Sequence, residues 1–224
     1  MLIILEGVDG SGKTTISRAL NDLLPLSTLI KLSGAPKYVN EEEWMEETYR
    51  DLIPFLVRQS TKGHVIVDRF MPSEYVYAPL FKGYSPSYFD EFTDTIHRHT
   101  ATYYFYLSTT DEILEKRLAA KAEEQPNENH ISLDVLHKVK SAYDEWFNKY
   151  QAKYPGHYYK ITHESEEVGP TDYAKFIIKT LNIGYVKKDD TYSRPLVDLP
   201  LTGDGCGCGS CGCGGHGGVG HEED

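Results

Sequence analysis

The chain has 224 residues, of which 40% are hydrophobic and 25% charged, and this composition is ordinary for one globular domain. Its formal net charge of −11 makes DNA or an anionic membrane a poor electrostatic partner. The sequence has no apolar run of the roughly 20 residues that cross a bilayer. Its N-terminal residues are typical of a strand and not of a signal peptide, so we expect a cytoplasmic protein.

Apolar segments with strand-like and helix-like spacing alternate along the chain. Strands are predicted at residues 2–6, 29–32, 64–67, 102–107 and 157–161. Helices are predicted at about 13–24, 41–59, 73–80, 87–99, 111–121, 132–153 and 172–181. Pro54 could kink or split the second of these helices. The alternation predicts a three-layer α/β domain with a parallel five-stranded sheet and helices on both faces.

The composition changes near Gly184. We expect one domain at 1–184 and a linker with a flexible tail at 185–224, because the glycine-rich end cannot bury enough apolar surface to offset the entropy of ordering it. The tail carries all four cysteines of the chain, Cys206, Cys208, Cys211 and Cys213. These thiols could bind Zn²⁺, or they could belong to a tail that has no fixed ligand.

A glycine-rich loop follows the first strand. Residues 7–14, GVDGSGKT, match the P-loop pattern GxxxxGK[ST] and open an amphipathic helix, which predicts a P-loop NTPase domain. Lys13, expected to be exposed on this loop, should reach the β- and γ-phosphates of ATP, and the Thr14 hydroxyl should bind Mg²⁺. The alternative is a strand–helix turn that binds nothing. The predicted nucleotide-binding residues are Gly7, Asp9, Gly10, Ser11, Gly12, Lys13, Thr14 and Thr15.

Two further charged segments suit phosphate chemistry. Asp68 follows a predicted parallel strand, at the end of the sheet where ligands bind, and could orient Mg²⁺ directly or through water. The planar guanidinium of Arg69 matches a phosphate, although the two residues could also form a surface ion pair. Arg117 lies on a predicted helix and could close over the transferring phosphoryl group, or it could face solvent.

Residues 3–15, IILEGVDGSGKTT, resemble the opening of thymidylate kinases. Residues 68–77, DRFMPSEYVY, carry the Asp-Arg-aromatic motif of that family, with a serine and a tyrosine at family spacing. The resemblance implies that Arg69 holds the acceptor phosphate, that Asp9 holds the sugar 3′-hydroxyl, and that the enzyme is a homodimer. It implies a catalytic set of Lys13, Asp68, Arg69 and Arg117. It implies a nucleoside pocket lined by Phe70, Ser73 and Tyr77.

The chain departs from the family pattern after the second strand. Thymidylate kinases carry Arg-Glu-Pro-Gly there, whereas residues 32–37 read LSGAPK, and Trp44 lies near the position of a base-reading arginine. Thymine specificity is therefore not supported. Residues 31–38 hold Lys31 and Lys37 but no carboxylate, and a nucleoside kinase needs a base for the sugar hydroxyl. This pattern favours a monophosphate acceptor.

The sequence therefore predicts a thymidylate kinase-like enzyme that transfers phosphoryl groups from ATP, with Mg²⁺, to a deoxynucleoside monophosphate. The acceptor would be dTMP-like or a modified pyrimidine nucleotide, and the product its diphosphate. Three alternatives stay open: a deoxynucleoside kinase, a kinase of a modified base in DNA, and a nucleotide-binding regulatory module without catalysis. The acidic net charge disfavours the DNA substrate.

Overall fold

The computed structural model describes residues 1–32, 34, 40–124, 132–165, 167–184 and 197–198. Its strands are β1 (Leu2–Glu6), β2 (Ser27–Lys31), β3 (His64–Asp68), β4 (Thr102–Thr109), β5 (Tyr158–His163) and β6 (Val197–Asp198). Its helices are α1 (Lys13–Leu23), α2 (Glu41–Ser60), α3 (Met71–Phe81), α4 (Phe89–His99), α5 (Asp111–Glu124), α6 (Leu133–Lys153) and α7 (Pro170–Thr180). None of the helices described here has both the length and the apolar character needed to cross a bilayer.

The strands described form one parallel sheet. They lie in the order β5-β4-β1-β3-β2-β6, and each neighbouring pair runs in the same direction. Every residue of β1 is buried, as expected for a central strand that is covered on both faces. The predicted parallel five-stranded sheet is confirmed by β1 to β5.

The short strand β6 is not predicted by the sequence. It pairs with β2, with Val197 opposite Ile30 and Asp198 opposite Lys31. A strand of two residues is too short to show the alternation of apolar and polar side chains that marks a strand in a sequence. The pairing brings part of the segment 185–224 against the sheet, whereas the four tail cysteines lie outside the described residues.

Apolar side chains cover both faces of the sheet. On β1, Leu2 and Ile4 belong to a cluster shared with α2, α3, α4 and α6, whereas Ile3 and Leu5 belong to a second cluster shared with α1 and α7. This division follows from the two-residue period of a strand, which sends successive side chains to opposite faces. The predicted three-layer arrangement is therefore confirmed.

Several element boundaries differ by a few residues from the sequence prediction, and two of the differences, in α3 and β5, bear on the site. Helix α2 continues through Pro54, since a proline removes one N–H and does not always end a helix. Helix α3 begins at Met71 with Pro72 in its first turn, where a missing N–H is harmless, so it follows Arg69 almost directly. Strand β5 extends to His163, which places this side chain at the carboxyl edge of the sheet.

Candidate active site

The loop between β1 and α1 surrounds the ammonium group of Lys13. Lys13 Nζ donates to the carbonyl oxygens of Gly7 at 2.8 Å and Val8 at 2.6 Å, and to Ser11 Oγ at 3.4 Å. The side chain is 5% exposed, so the expectation of an exposed lysine is wrong. Burial lowers the pKa of Lys13, because it disfavours the charged ammonium.

Glycine is required at the start of this loop. Gly7 has a φ of 143°, and a Cβ at this position would lie 2.2 Å from the carbonyl oxygen of Leu107. Gly10 and Gly12 also have positive φ, at 81° and 90°. These conformations turn the chain tightly enough for backbone amides to approach a phosphate.

Thr14 and Asp68 meet at the carboxyl ends of β1 and β3. Thr14 Oγ1 donates to Asp68 Oδ2 at 2.6 Å. Asp68 is 1% exposed, and its Oδ1 has no hydrogen-bond partner among the described residues. A hydroxyl and a buried carboxylate oxygen with free lone pairs suit Mg²⁺, which keeps several ligands from water and nucleotide phosphates. The residues present therefore fit the predicted ion.

A metal site made of protein side chains alone would need several ligating side chains close together. Within the part of the chain that the structure describes, no group of three or more His, Cys, Asp or Glu side chains could hold a metal ion. The predicted Zn²⁺ ligands in the tail lie outside that part, so zinc binding stays a prediction.

Three of the predicted residues, Asp9, Ser73 and Tyr77, lie around a fourth, Arg69. Its guanidinium forms an ion pair with Asp9, donates to Ser73 Oγ at 3.4 Å, and lies 5.7 Å from the centre of the Tyr77 ring. Tyr77 in turn donates to Asp9 Oδ2 at 3.5 Å. Asp9 is thus held by two partners, a cation and a phenol.

Phe70 lies elsewhere. It is 1% exposed and packs edge-on against Tyr49, with the ring centres 5.3 Å apart. In this structure Phe70 is a core residue next to the cleft, and its contact with a nucleoside stays a prediction. A hydrophobic residue that follows a strand end can point into the core or into the crevice, and the sequence does not distinguish these cases.

Glu6, at the end of β1, contacts Ser73 but was not predicted as a site residue. It is fully buried, and its carboxylate accepts from the Phe70 N–H at 2.6 Å, from Ser73 Oγ at 2.8 Å and from Tyr143 OH at 3.1 Å. Burial raises the pKa of Glu6 above its ordinary 4.5. One signal could have revealed it: a single carboxylate ends an otherwise apolar buried strand.

Arg117 lies over the P-loop. Its Nη1 donates to the carbonyl oxygen of Gly10 at 2.8 Å, and its Nη2 lies 3.0 Å from His163 Nε2. The His163 ring stacks on Tyr173, with the ring centres 4.9 Å apart. In the structure, therefore, the guanidinium faces the loop and is not a purely solvent-exposed group.

A cleft of about 720 Å³ lies between the P-loop, Arg69 and Arg117. Among the residues that the structure describes, six predicted site residues are not among those that line it: Gly7, Ser11, Asp68, Phe70, Ser73 and Tyr77. The predicted residues that line it are Asp9, Gly10, Gly12, Lys13, Thr14, Thr15, Arg69 and Arg117. The lining residues that were not predicted as site residues are Ile16, Lys31, His163, Val168, Gly169, Pro170 and Tyr173. Several of them lie at or just after the carboxyl ends of β2 and β5. Ligands bind at this edge of a parallel sheet, so the position of these residues at strand ends could have identified them from the sequence.

Comparisons with known proteins agree with this architecture. The thymidylate kinase family model matches residues 46–171. The thymidylate kinase of Mesoplasma florum is 32% identical over 176 residues, which cover 65% of this chain and 81% of that protein.

Two solved structures share the fold. The YorR protein of Bacillus subtilis, in complex with phosphorylated GDP, is 24% identical with a TM-score of 0.59, over 81% of this chain and 96% of that one. Deoxyadenosine kinase from M. mycoides, with bound dCTP, is 17% identical with a TM-score of 0.50, over 81% and 99% of the two chains. The fold, the family model and the sequence relative all agree. The chain therefore belongs to the thymidylate kinase family, and the predicted enzyme class, a nucleotide kinase, is confirmed.

Proposed function

We propose that the protein transfers the γ-phosphoryl group of ATP to a deoxynucleoside monophosphate, dTMP-like or a modified pyrimidine nucleotide, and gives the diphosphate. One observation carries this proposal: a single cleft is lined by a P-loop and by four cations, Lys13, Lys31, Arg69 and Arg117. Phosphoryl transfer needs little covalent chemistry from a protein, because positioning and charge neutralisation supply most of the catalysis. A cleft with these cations is suited to two phosphate-bearing ligands.

The P-loop end of the cleft would hold the donor. Lys13 would exchange its bonds with the carbonyls of Gly7 and Val8 for bonds with the β- and γ-phosphates. Arg117 would likewise leave the Gly10 carbonyl and stabilise charge on the transferring group. The aromatic and small residues after β5, among them Tyr173 and Pro170, offer flat walls to a base.

Thr14 and Asp68 would hold Mg²⁺ at this end, the hydroxyl oxygen directly and the carboxylate directly or through water. When bound, the ion neutralises negative charge on the β- and γ-phosphates. The buried position of Asp68 keeps its oxygens from bulk water, which strengthens their attraction for a cation.

The Arg69 end would hold the acceptor. The guanidinium would bind the acceptor phosphate through two N–H groups, and Asp9 would accept a hydrogen bond from the sugar 3′-hydroxyl. Lys31 is exposed at the end of β2, lines the same cleft, and makes no ion pair with other described residues. It is available as a second cation for the acceptor phosphate.

The acceptor is proposed to be a monophosphate because the cleft offers few carboxylates to a sugar hydroxyl. Asp9 is the single carboxylate among the described residues that line the cleft, and Arg69 and Tyr77 already engage it. A nucleoside acceptor must lose a hydroxyl proton to a base, whereas a monophosphate oxygen is already anionic. This observation favours the nucleotide over the nucleoside.

An ATP-coupled screen tests the proposal directly. Deoxynucleoside monophosphates, deoxynucleosides and DNA are offered with ATP and Mg²⁺, and products are identified by chromatography. Lys13→Ala protein, purified identically, reports contaminating activity. We expect turnover with at least one monophosphate. Turnover with nucleosides alone or with DNA alone would replace the proposal by that alternative, and ATP binding without transfer would favour the regulatory module.

The remaining features of the proposal are a cytoplasmic enzyme, a homodimer as the family resemblance implies, and a catalytic domain at 1–184. Light scattering coupled to gel filtration distinguishes a dimer from a monomer of 25.4 kDa. A monomer at assay concentration would contradict the dimer without affecting the proposed reaction.

A further inference from the structure

Glu6 joins three elements behind the acceptor end of the cleft. Its Oε1 accepts from the backbone of Phe70 at the start of α3, and its Oε2 accepts from Ser73 Oγ on α3 and from Tyr143 OH on α6. Ser73 Oγ and Tyr143 OH also lie 3.0 Å apart. We call this set of Glu6, the Phe70 amide, Ser73 and Tyr143 the Glu6 network. Glu6 and Tyr143 are both fully buried, so water cannot easily replace these bonds.

The backbone of Arg69 depends on this network. Arg69 has a φ of 70°, a left-handed conformation that costs a residue with a side chain about 1–2 kcal/mol. The peptide groups on both sides of it are tied to the end of β1: the Arg69 N–H donates to the Leu5 carbonyl at 3.1 Å, and the Phe70 N–H donates to Glu6. Together these two bonds hold Arg69 in the conformation that it would otherwise leave.

The side chain of Arg69 depends on the network as well. Arg69 Nη1 donates to Ser73 Oγ at 3.4 Å, and Ser73 Oγ can accept this bond while its own proton goes to Glu6 Oε2. The carboxylate therefore orients the hydroxyl, and the hydroxyl offers its lone pair to the guanidinium. Glu6 itself makes no contact with the cleft.

We propose that Glu6 is a positioning residue for acceptor binding: through the Phe70 amide and Ser73 it holds Arg69 where the guanidinium can meet the acceptor phosphate. The inference rests on the proposed role of Arg69. Glutamine replaces Glu6 only in part: its one oxygen can accept from the Phe70 amide, but its NH₂ group can only donate to the Ser73 and Tyr143 hydroxyls, which in the structure donate to Oε2. An apolar residue would leave the same donors unsatisfied.

A purely structural role for Glu6 would have different consequences. Loss of a buried structural carboxylate lowers the melting temperature but leaves each surviving molecule with normal kinetics. Loss of a positioning residue weakens the acceptor more than the donor, because Lys13 donates its hydrogen bonds within the P-loop and feels Glu6 only through its charge. The split between the KM of the acceptor and the KM of ATP therefore separates the two roles.

The test compares Glu6→Gln with Glu74→Gln. Glu74 is a second buried carboxylate, on α3, bound by Lys82 and Tyr84 and not by the Glu6 network. We expect Glu6→Gln to raise the KM of the acceptor by about 10- to 100-fold. The KM of ATP should change less than about threefold, and Glu74→Gln should leave both values within that range. Equal effects of the two variants on the KM of the acceptor would overturn the inference.

A second pair of variants covers the case in which Glu6→Gln does not fold. Tyr143→Phe removes one donor of the network, and Tyr106→Phe removes a neighbouring buried hydroxyl that bonds to the Lys140 carbonyl instead. The two rings stack with their centres 5.5 Å apart, so both hydroxyls are removed from one buried aromatic cluster. Tyr143→Phe should raise the KM of the acceptor by about 3- to 10-fold, whereas Tyr106→Phe should leave it unchanged. The same KM of the acceptor in both variants would contradict the inference.

A crystal structure of Glu6→Gln, or of Tyr143→Phe if the former does not fold, provides a readout without activity. We expect Arg69 to leave its left-handed conformation or to lose its ion pair with Asp9. Unchanged geometry at Arg69 would overturn the inference even if the enzyme is active. Conversely, a wild-type protein that phosphorylates no monophosphate would contradict the proposed function alone, since the crystal structure still decides the role of Glu6.

Discussion

The two ends of the cleft, proposed to bind the two phosphate-bearing substrates, hold their cations in different ways. Lys13 is held by atoms of its own loop, and its partners lie within six residues along the chain. Arg69 is held by Asp9, which lies 60 residues away, and by a serine that Glu6 orients from 67 residues away. The P-loop that holds Lys13 is therefore a local structure, whereas Arg69 is held by an assembly of separate elements.

This difference bears on how such an enzyme can change its substrate. A local loop keeps its geometry wherever its strand and helix persist, so the contacts of the P-loop with the donor phosphates can stay constant. An assembled end changes when any of its elements shifts or is substituted. The departures from the family pattern, LSGAPK at 32–37 and Trp44 on α2, lie outside the P-loop, at positions where the family resemblance implies contacts with the acceptor. We therefore expect that this enzyme has a changed choice of acceptor and an unchanged donor.

Lys13→Ala should have the largest effect and should act on the donor end. Cations that clamp the transferring phosphate are worth ~10³-fold or more in rate, and we expect a loss of that size in kcat. The melting temperature should also fall, because the carbonyls of Gly7 and Val8 lose their donor. Lys179→Ala, on the exposed side of α7, is the control. A near-normal kcat in Lys13→Ala would contradict the assignment of Lys13 to the donor phosphates.

Arg69→Ala should damage the acceptor end and spare the donor end. Loss of a bidentate, charge-assisted contact should cost on the order of 2–4 kcal/mol, or about 30- to 1,000-fold in kcat/KM for the acceptor. Steady-state kinetics in both substrates measure this, with Arg58→Ala in the last turn of α2 as the control. If the variant loses ATP affinity and keeps its acceptor KM, Arg69 belongs to the donor end.

Asp68→Asn should weaken the dependence on Mg²⁺ and leave the acceptor KM unchanged. We expect the Mg²⁺ concentration for half-maximal rate to rise by about 10- to 100-fold, the usual range when the support of a metal is altered. A Mg²⁺ titration at saturating ATP measures the shift. Asp51→Asn, exposed on α2, should behave as wild type. A rise in acceptor KM without any change in the Mg²⁺ requirement would argue against the assigned ion site.

The pH dependence of stability should reveal Glu6. Burial raises the pKa of Glu6 above 4.5, so the folded protein binds this proton more tightly than the unfolded chain does. A carboxyl shifted in this direction contributes stability below its unfolded pKa, and the contribution is lost as the pH rises through the folded pKa. The free energy of unfolding should thus fall more steeply above pH 4.5 in wild type than in Glu6→Gln. Urea titrations across this range test it, and parallel curves would contradict it.

Truncation after Gly184 should have the smallest effect. It removes β6, a two-residue strand at the edge of the sheet, and the cysteine-rich tail. Folding and phosphoryl transfer should be nearly intact, with at most a small change in melting temperature. Elemental analysis of both forms, purified without a metal-affinity tag, tests the predicted Zn²⁺ site. Loss of folding or turnover would show that the domain extends beyond residue 184.

The sequence by itself determined the class of fold and the donor loop. Alternating apolar segments predicted β1 to β5 and the order of helices between them, because the periods of two and 3.6 residues are visible in a single chain. The P-loop could be recognised because its contacts are local and its glycines adopt conformations that few other residues can take.

The tertiary structure alone decided the acceptor end and the side chains that close over the P-loop. Whether Phe70 faces the core, whether Arg117 reaches Gly10 or solvent, and which side chains meet Glu6 all depend on elements that are far apart along the chain. His163 joins the cleft because β5 extends to the carboxyl edge of the sheet, a boundary that no local pattern marks. Contacts of this kind arise only when parallel strands align their ends, so pairing and register, and not sequence spacing, decide which side chains meet.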